Sequence, residues 1–374
     1  MGSCGGVDRG GSSGGGSGLV GGFKVVGESM LLVDAEIKIN NKKVDREVYA
    51  NLEKIKVNLS VDALDVAMVV FYDPLTKLQD DANFDIGKDI TISIGSKKYE
   101  EIFQGEIVRV DYDFSRGQSP KVHLICYDKL HKLGEMAHSR PFVKMKDSDI
   151  AKKMAGEAGL QSSIDTTSKK HDYIFQNNES NLDFLRRRAD LIGYELAVDD
   201  GKMVFKKARF KDKKKSVNLD WYDTLIDFKV RMDSNNIPEE VMVSSWDYVK
   251  KEGVEEKVKA GDEPKVGSAK KMATKEVKSK LKNKSKNYKL DIPNILSGEA
   301  KEIAKAKLTA SSMNYLKATG SCEGEPKILS GKLLKVGNLG KKLDGEYYIT
   351  SCEHIYSGSS YRTFFEVISN GTHK

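Results

Sequence analysis

Period-two alternation of apolar and polar residues governs most of this chain and limits it to antiparallel sheets. In the run AEIKINNKKV apolar positions alternate around an Asn40-Asn41 turn, and in LEKIKVNLSV the residues Ile55, Val57 and Leu59 fall on one face. The run DITISIGSKKYEEIFQGEIVRVDYDF reads as strand, turn at Gly95, strand, break at Gly105 and strand. In KVHLICYDKL, Val122, Leu124 and Cys126 alternate with His123 and Ile125. Such alternation, with turn residues every 8–12 positions or so, signals a sandwich or a small barrel.

The period changes after Arg140. Ile150, Met154 and Ala158 recur at helical spacing before Gly159. Leu182, Leu185, Ala189 and Ile192 share one helix face, with Ser180 as N-cap and Gly193 as the stop. A hairpin follows around Asp200-Gly201. Strands return from Ser216 in SVNLDW, LIDFKVRM and EEVMVSSWDYV. A helix capped by Ser297 then runs from Gly298 to about Asn314, ahead of the strands KLLKV, EYYITSCEHIY and YRTFFEVI. The fold class is therefore α+β, mainly β, with two antiparallel β-rich bodies, each a sandwich or a small barrel, flanking a small α+β domain. The boundaries are a Gly/Ser-rich tail at 1–22, a first β-rich body at 23–139, the α+β domain at 140–212 and a second β-rich body at 213–374.

Two segments have the composition of solvated chain. Residues 1–22 hold eleven glycines and four serines, too little apolar surface to repay ordering. Lys250 to Lys289 contains 14 lysines and 6 acids, a net of +8, more than the +7 of all 374 residues. That stretch reads as a lysine-rich insertion at about 250–289 in the second β-rich body, either on the outer surface, the reading taken, or lining an interior channel. The remainder is near neutral, so the chain as a whole is not basic.

Chemistry-bearing signatures are sparse. Cys4, Cys126, Cys322 and Cys352 form no CxxC pair and read as reduced thiols, with a Cys322–Cys352 bridge as the lesser reading. The histidines at 123, 131, 138, 171, 354 and 373 have no metal-ligand spacing. There is no HExxH, GxSxG or Walker loop. His171-Asp172 is either a base with its orienter or a polar pair at a strand or turn. Cys352 and His354 share a strand face, as two ligands or as structure. Glu100-Glu101 is either a glycosidase pair or a solvated face. Arg186-Arg187-Arg188 spreads around a helix, as a nucleic-acid surface or as a solvated face with intersubunit ion pairs. In each case the reading taken is structural: no catalytic residue, no cofactor, no metal and no enzyme activity. No apolar run is long enough for a transmembrane helix, and no secretory signal is recognisable.

The stretch HDYIFQNNESNLDFLRRRADLIGYELAVDDGKMVF resembles the middle domain of the phage late control protein D family, to which the hub half of valine-glycine-repeat (VgrG) spike proteins is related. Gln176, Glu179, Ser180, Asp183, Phe184, Leu185, Arg187, Ala189, Gly193, Asp200 and Gly201 occupy its recurring positions. Downstream, Asp344, Gly345, Tyr347, His354 and Thr363 fall in the order of the family's closing strands. The resemblance covers roughly Val33 to Val367. It implies the structural central hub of a contractile phage-tail-like baseplate, a homotrimer of two tube-like barrels per chain. The hub would join a six-fold tail tube protein to a three-fold spike. The chain carries no spike domain of its own, so a separate trimeric spike protein is expected below and wedge proteins around it. No membrane insertion is expected, and nucleic acid would at most pass through the lumen. The particle would assemble in the bacterial cytoplasm. Two other readings stand beside this one: a nucleic-acid-binding module using Lys250–Lys289, or a tail-associated cell-wall hydrolase.

Overall fold

The computed structural model describes residues 33–374 apart from 212–216, 249, 281–286, 294, 296 and 359. The glycine-rich start with Cys4, the first residues of the first β-rich body, Ser216 and part of the lysine run lie outside the described residues. So does the Ser297 side chain, expected as a helix cap.

The protein is mainly β. Its largest element is a 13-stranded sheet. One half contains Asp34–Ile39, Leu52–Ser60, Val66–Tyr72, Asp89–Gly95, Tyr99–Asp113 and Lys121–Tyr127, with the short Lys42–Lys43 strand. Ile39 faces Lys42 across the turn, where Asn40 and Asn41 have φ of 48° and 64°. Positive φ at both central residues is the hairpin turn that matches strand twist, and Asn tolerates it. The other half contains Val217–Asp220, Leu225–Met232, Leu316–Glu323, Leu333–Gly337, Gly345–Ser357 and Ser360–Ser369.

The two halves are hydrogen-bonded to each other. Leu52–Ser60 runs antiparallel to Gly345–Ser357, in register from Ser351 opposite Ser60 to Tyr356 opposite Ile55. The alternation in each strand sends one set of side chains into a shared core, where Ile55, Val57, Tyr347 and Ile349 are fully buried. Burying each such aliphatic side chain contributes about 1.5–3 kcal/mol before entropy is counted.

Gly105 does not break a strand, as the sequence had suggested. Tyr99–Asp113 is continuous through it. A Cβ on Gly105 would stand 2.2 Å from the Tyr127 carbonyl oxygen and 2.7 Å from the Phe103 ring. The glycine admits a close approach rather than a turn.

The α+β unit has its own core of Phe142, Ile150, Met154, Phe184, Leu185 and Phe205. It combines the ribbon Ala137–Lys146 with Lys170–Ser180, the helices Asp147–Glu157 and Asn181–Ile192, and a small sheet of Ser162–Ile164, Tyr194–Asp199 and Lys202–Lys207.

The lysine-rich stretch corrects another expectation, because much of it is folded. Glu252–Lys259 pairs with Glu240–Asp247, which pairs in parallel with Asn287–Asp291. This three-stranded sheet is separate from the large one and packs Val241, Val243 and Val258 against Ile303 and Leu308 of the helix Ser297–Met313. Val266, Met272 and Ala273 are also buried, and Ala273–Lys280 is a helix. The apolar residues are few, but they fall where a face needs them, and the lysine heads stay in water. Among the described residues no helix is long and apolar enough to cross a membrane.

Candidate functional site

The residues carrying the resemblance separate into two groups. In the α+β unit, Gln176 is fully buried and ties the ribbon to the second helix. Its Nε2 donates to the Glu179 carbonyl at 2.9 Å and to Asn181 Oδ1 at 3.0 Å, and its Oε1 accepts from Arg140 Nε at 3.0 Å. Ser180 Oγ accepts from the Asp183 N–H at 3.0 Å, capping Asn181–Ile192. Gly193, at φ 69°, ends that helix, and Phe184 and Leu185 are its buried face. Asp200 and Gly201, at φ 52° and 67°, form the following hairpin turn.

The second group lies in the large sheet. Asp344 Oδ1 accepts from the Leu339 N–H at 2.7 Å, and the buried Tyr347 hydroxyl donates to the Leu343 carbonyl. A Cβ at Gly345 would sit 2.1 Å from the His373 ring, so only glycine lets that ring pack there. His354 faces Thr363 across the strands, with Nδ1 3.2 Å from its hydroxyl. These contacts hold loops and strands in place, and none presents a reactive atom to solvent.

His171 does not pair with Asp172. It is buried and lies 2.9 Å from Asp147 Oδ2 through Nε2 and 3.5 Å from Glu299 Oε1 through Nδ1. Arg188 completes this group, with Nε 2.6 Å from Asp147 Oδ1 and Nη2 3.0 Å from its Oδ2. Burial pushes Asp147 up, but hydrogen bonds from His171 and Arg188 outweigh it and leave the carboxyl below its ordinary value. Burial holds Glu299 above its ordinary value against the opposing charges of His171 and Arg188. The cluster joins the α+β unit to the helix Ser297–Met313. It also corrects the reading of the arginine run: Arg188 is 7 % exposed and paired within the chain, and Arg187 is bidentate to Glu179. No spacing in the sequence links Asp147, His171, Arg188 and Glu299. The only local hint is an acid in the first helical turn.

Cys126, Cys322 and Cys352 are free and buried. Burial pushes the Cys126 and Cys322 thiols up to about 12 and Cys352 further, away from thiolate chemistry. Among the described residues no group of three or more His, Cys, Asp or Glu could hold a metal ion.

The large sheet offers a different kind of site. Eleven of its strands run in unbroken order, and the first eight are Leu225–Met232, Leu316–Glu323, Ser360–Ser369, Gly345–Ser357, Leu52–Ser60, Val66–Tyr72, Lys121–Tyr127 and Tyr99–Asp113. At one end, Leu225–Met232 pairs only with Leu316–Glu323 among the described residues. At the other, Tyr99–Asp113 is shared. Residues 99–106 pair with Asp89–Gly95, while residues 109–113 pair on one side only among the described residues, with Lys121–Tyr127. At the two ends of this eight-strand section, then, a stretch of strand lacks a neighbour on one side among the described residues. On the face away from the core, one stretch bears Arg109, Asp111 and Asp113, with Arg109 Nε 3.2 Å from Asp111 Oδ2, and the other bears Lys229 and Arg231, with Arg231 Nη2 3.0 Å from Asp233 Oδ2.

The family described as the Alg8 N-terminal domain matches residues 29–357. No curated protein matches the sequence. Among solved structures, the 43 kDa tail protein of prophage MuSo2 from Shewanella oneidensis superposes with a TM-score of 0.66 at 16% identity, covering 90% of this chain and 98% of that one. A tail protein from Neisseria meningitidis gives 0.66 at 14% identity, covering 91% and 98%. An E. coli component of the type VI secretion system, itself described as similar to bacteriophage tail proteins, gives 0.60 at 11% identity, covering 89% and 76%. The fold is the one these tail-type proteins share.

Proposed function

We propose that this chain, which belongs to the Alg8 N-terminal domain family, closes head to tail in threes to form the central hub of a contractile, phage-tail-like baseplate. The observation that carries this reading is the eight-strand section of the sheet from Leu225–Met232 to residues 109–113, each end of which lacks a neighbour on one side among the described residues. Unpaired strand edges template further pairing unless they are covered. Two different edges on one chain make a heterologous contact, which closes into a ring when the rotation allows. Three copies of eight strands would make a ring of 24.

Charge favours one register. Antiparallel pairing that sets Asp111 against Arg231 and Asp113 against Lys229 matches opposite signs across the seam. The likeness to tail proteins supports a place on the axis of such a particle, between a tube and a separate spike. Buried, structurally engaged motif residues fit a scaffold rather than an enzyme.

The mass of the purified oligomer, with a three-fold averaged image, tests the reading. Asp111→Lys with Asp113→Lys should reduce the ring to single chains, and adding Lys229→Asp with Arg231→Asp should restore it. A ring that ignores all four substitutions, or one of another order, would remove the proposal.

A further inference from the structure

A groove of about 750 Å³ lies where the α+β unit meets the large sheet and the helix Ser297–Met313. That is the size of an ordinary ligand or side-chain docking site. Leu191, Phe210, Ile303, Ala310, Met313 and Ile368 make its walls largely apolar. None of its lining residues belongs to the strand stretches that lack a neighbour.

Four carboxylates line it: Glu302 accepts from the Ser168 hydroxyl at 3.3 Å, and the other three come from three elements. Asp62 follows the strand Leu52–Ser60, Asp190 is on the helix Asn181–Ile192, and Glu195 is on the strand Tyr194–Asp199. The Asp62 and Asp190 carboxylates have no hydrogen-bonded or ion-paired partner among the described residues, although Arg186 attracts Asp190 from a distance. Glu195 accepts from the Tyr348 hydroxyl. The charges work against one another. Burial and then the neighbouring Asp62 raise Asp190 above its ordinary value. Burial, with Asp62 adding to it, raises Glu195 to about 7 despite the Tyr348 bond and the charges of Arg209 and Lys332.

The cations that line the groove are Arg187, Lys207, Lys305 and Lys307. Arg187 is bidentate to Glu179. Lys207 and Lys307 lie over the rings of Tyr194 and Tyr288, at 5.9 and 5.2 Å from the centroids. Lys305 stands exposed on the outer helix. Among the described residues no cation is hydrogen-bonded or ion-paired to Asp62 or Asp190, while Arg186 acts on Asp190, and Arg209 and Lys332 on Glu195, through charge alone.

We propose that this groove docks a partner segment bearing one basic side chain on an apolar stretch. The apolar flanks would cover the walls, and the basic head would meet Asp62, Asp190 and Glu195. An apolar segment without the cation would leave the carboxylate repulsion in place. An acidic one would add to it.

The test uses the full chain and three fluorescent, capped pentapeptides. Each has two leucines on either side of a central arginine, citrulline or aspartate, and binding is read by anisotropy at fixed salt. The arginine peptide should bind about tenfold tighter than the citrulline peptide, and the aspartate peptide weaker still. Asp62→Asn with Asp190→Asn should erase the arginine preference while leaving the common apolar affinity. Ala310→Trp, at an exposed helix position lining the groove, should weaken all three peptides. Circular dichroism and oligomer mass confirm that the variants fold and assemble. Equal binding of the three peptides, no binding of any, or an arginine preference that survives the double substitution would each overturn the proposal.

Discussion

His354 Nε2 lies 2.9 Å from the carbonyl oxygen of Ile328. A carbonyl can only accept, so Nε2 carries the proton and Nδ1 is the acceptor for the Tyr361 hydroxyl, also at 2.9 Å. The ring is fully buried and neutral, which gives stability a defined pH dependence.

Burial lowers His354 to about 4, against the favourable bond to Ile328. In the unfolded chain the imidazole titrates near 6.5. Between those values the unfolded chain binds the extra proton and the native protein does not, so stability rises with pH there. The contribution is whole above about pH 6.5. It is lost as pH falls toward 4, on the order of 3 kcal/mol in all. Urea unfolding from pH 4.5 to 7 should show this slope, and His354→Gln should flatten it by about one proton even though the variant is less stable throughout.

Arg188 should be far more costly to remove than its neighbour on the same helix. Arg188→Ala leaves Asp147 and Glu299 buried beside His171 without their guanidinium, and the loss of one partner from such a group costs about 3–5 kcal/mol. Arg187→Ala breaks an exposed pair with Glu179 and should cost less than about 1 kcal/mol. Urea midpoints of the two variants decide this. Equal losses would mean that the buried cluster does not tie the α+β unit to the neighbouring helix.

How much of this was legible in the sequence depends on the range over which each feature acts. Ile55, Val57 and Leu59 were readable because one strand repeats every two residues. Asn40-Asn41, Ser180 and Gly193 were readable because turns and caps depend on side chains within a few positions. The pairing of Ser351 with Ser60 was not, because alternation says which face is buried but not which strand lies alongside. The meeting of Arg188 with Asp147, 41 residues apart, leaves no periodic trace. In the lysine run, composition outweighed the few valines that set its fold.

Gly105 and Gly156 should respond to alanine in opposite ways. At Gly105 the new methyl group would collide with the Tyr127 backbone inside a continuous strand, and overpacking of this kind costs about 1–3 kcal/mol. Gly156 sits in the helix Asp147–Glu157, with nothing within 4 Å of the added carbon. There alanine should add up to about 1 kcal/mol through helix propensity and a less flexible unfolded chain. Thermal melts of the two variants should therefore move to either side of the parent.

The lysine-rich stretch gives the sharpest contrast between composition and fold. Val258 is 3 % exposed and faces Val241 across the strands, and both pack on the helix that carries Ile303 and Leu308. Val258→Asp would bury an unpaired carboxylate in that small core, and the sheet should open before the rest of the protein does. Trypsin reports this directly, since Lys257 and Lys259 lie in the strand Glu252–Lys259 and Lys289 in Asn287–Asp291. Cleavage requires local opening, so its rate tracks the population of the open form. The parent chain should resist cut at these lysines, and Val258→Asp should be cut there at least tenfold faster, with sites in the large sheet little changed. Rapid cleavage of the parent at the same positions would show that a solvated loop, and not a folded sheet, occupies this part of the molecule.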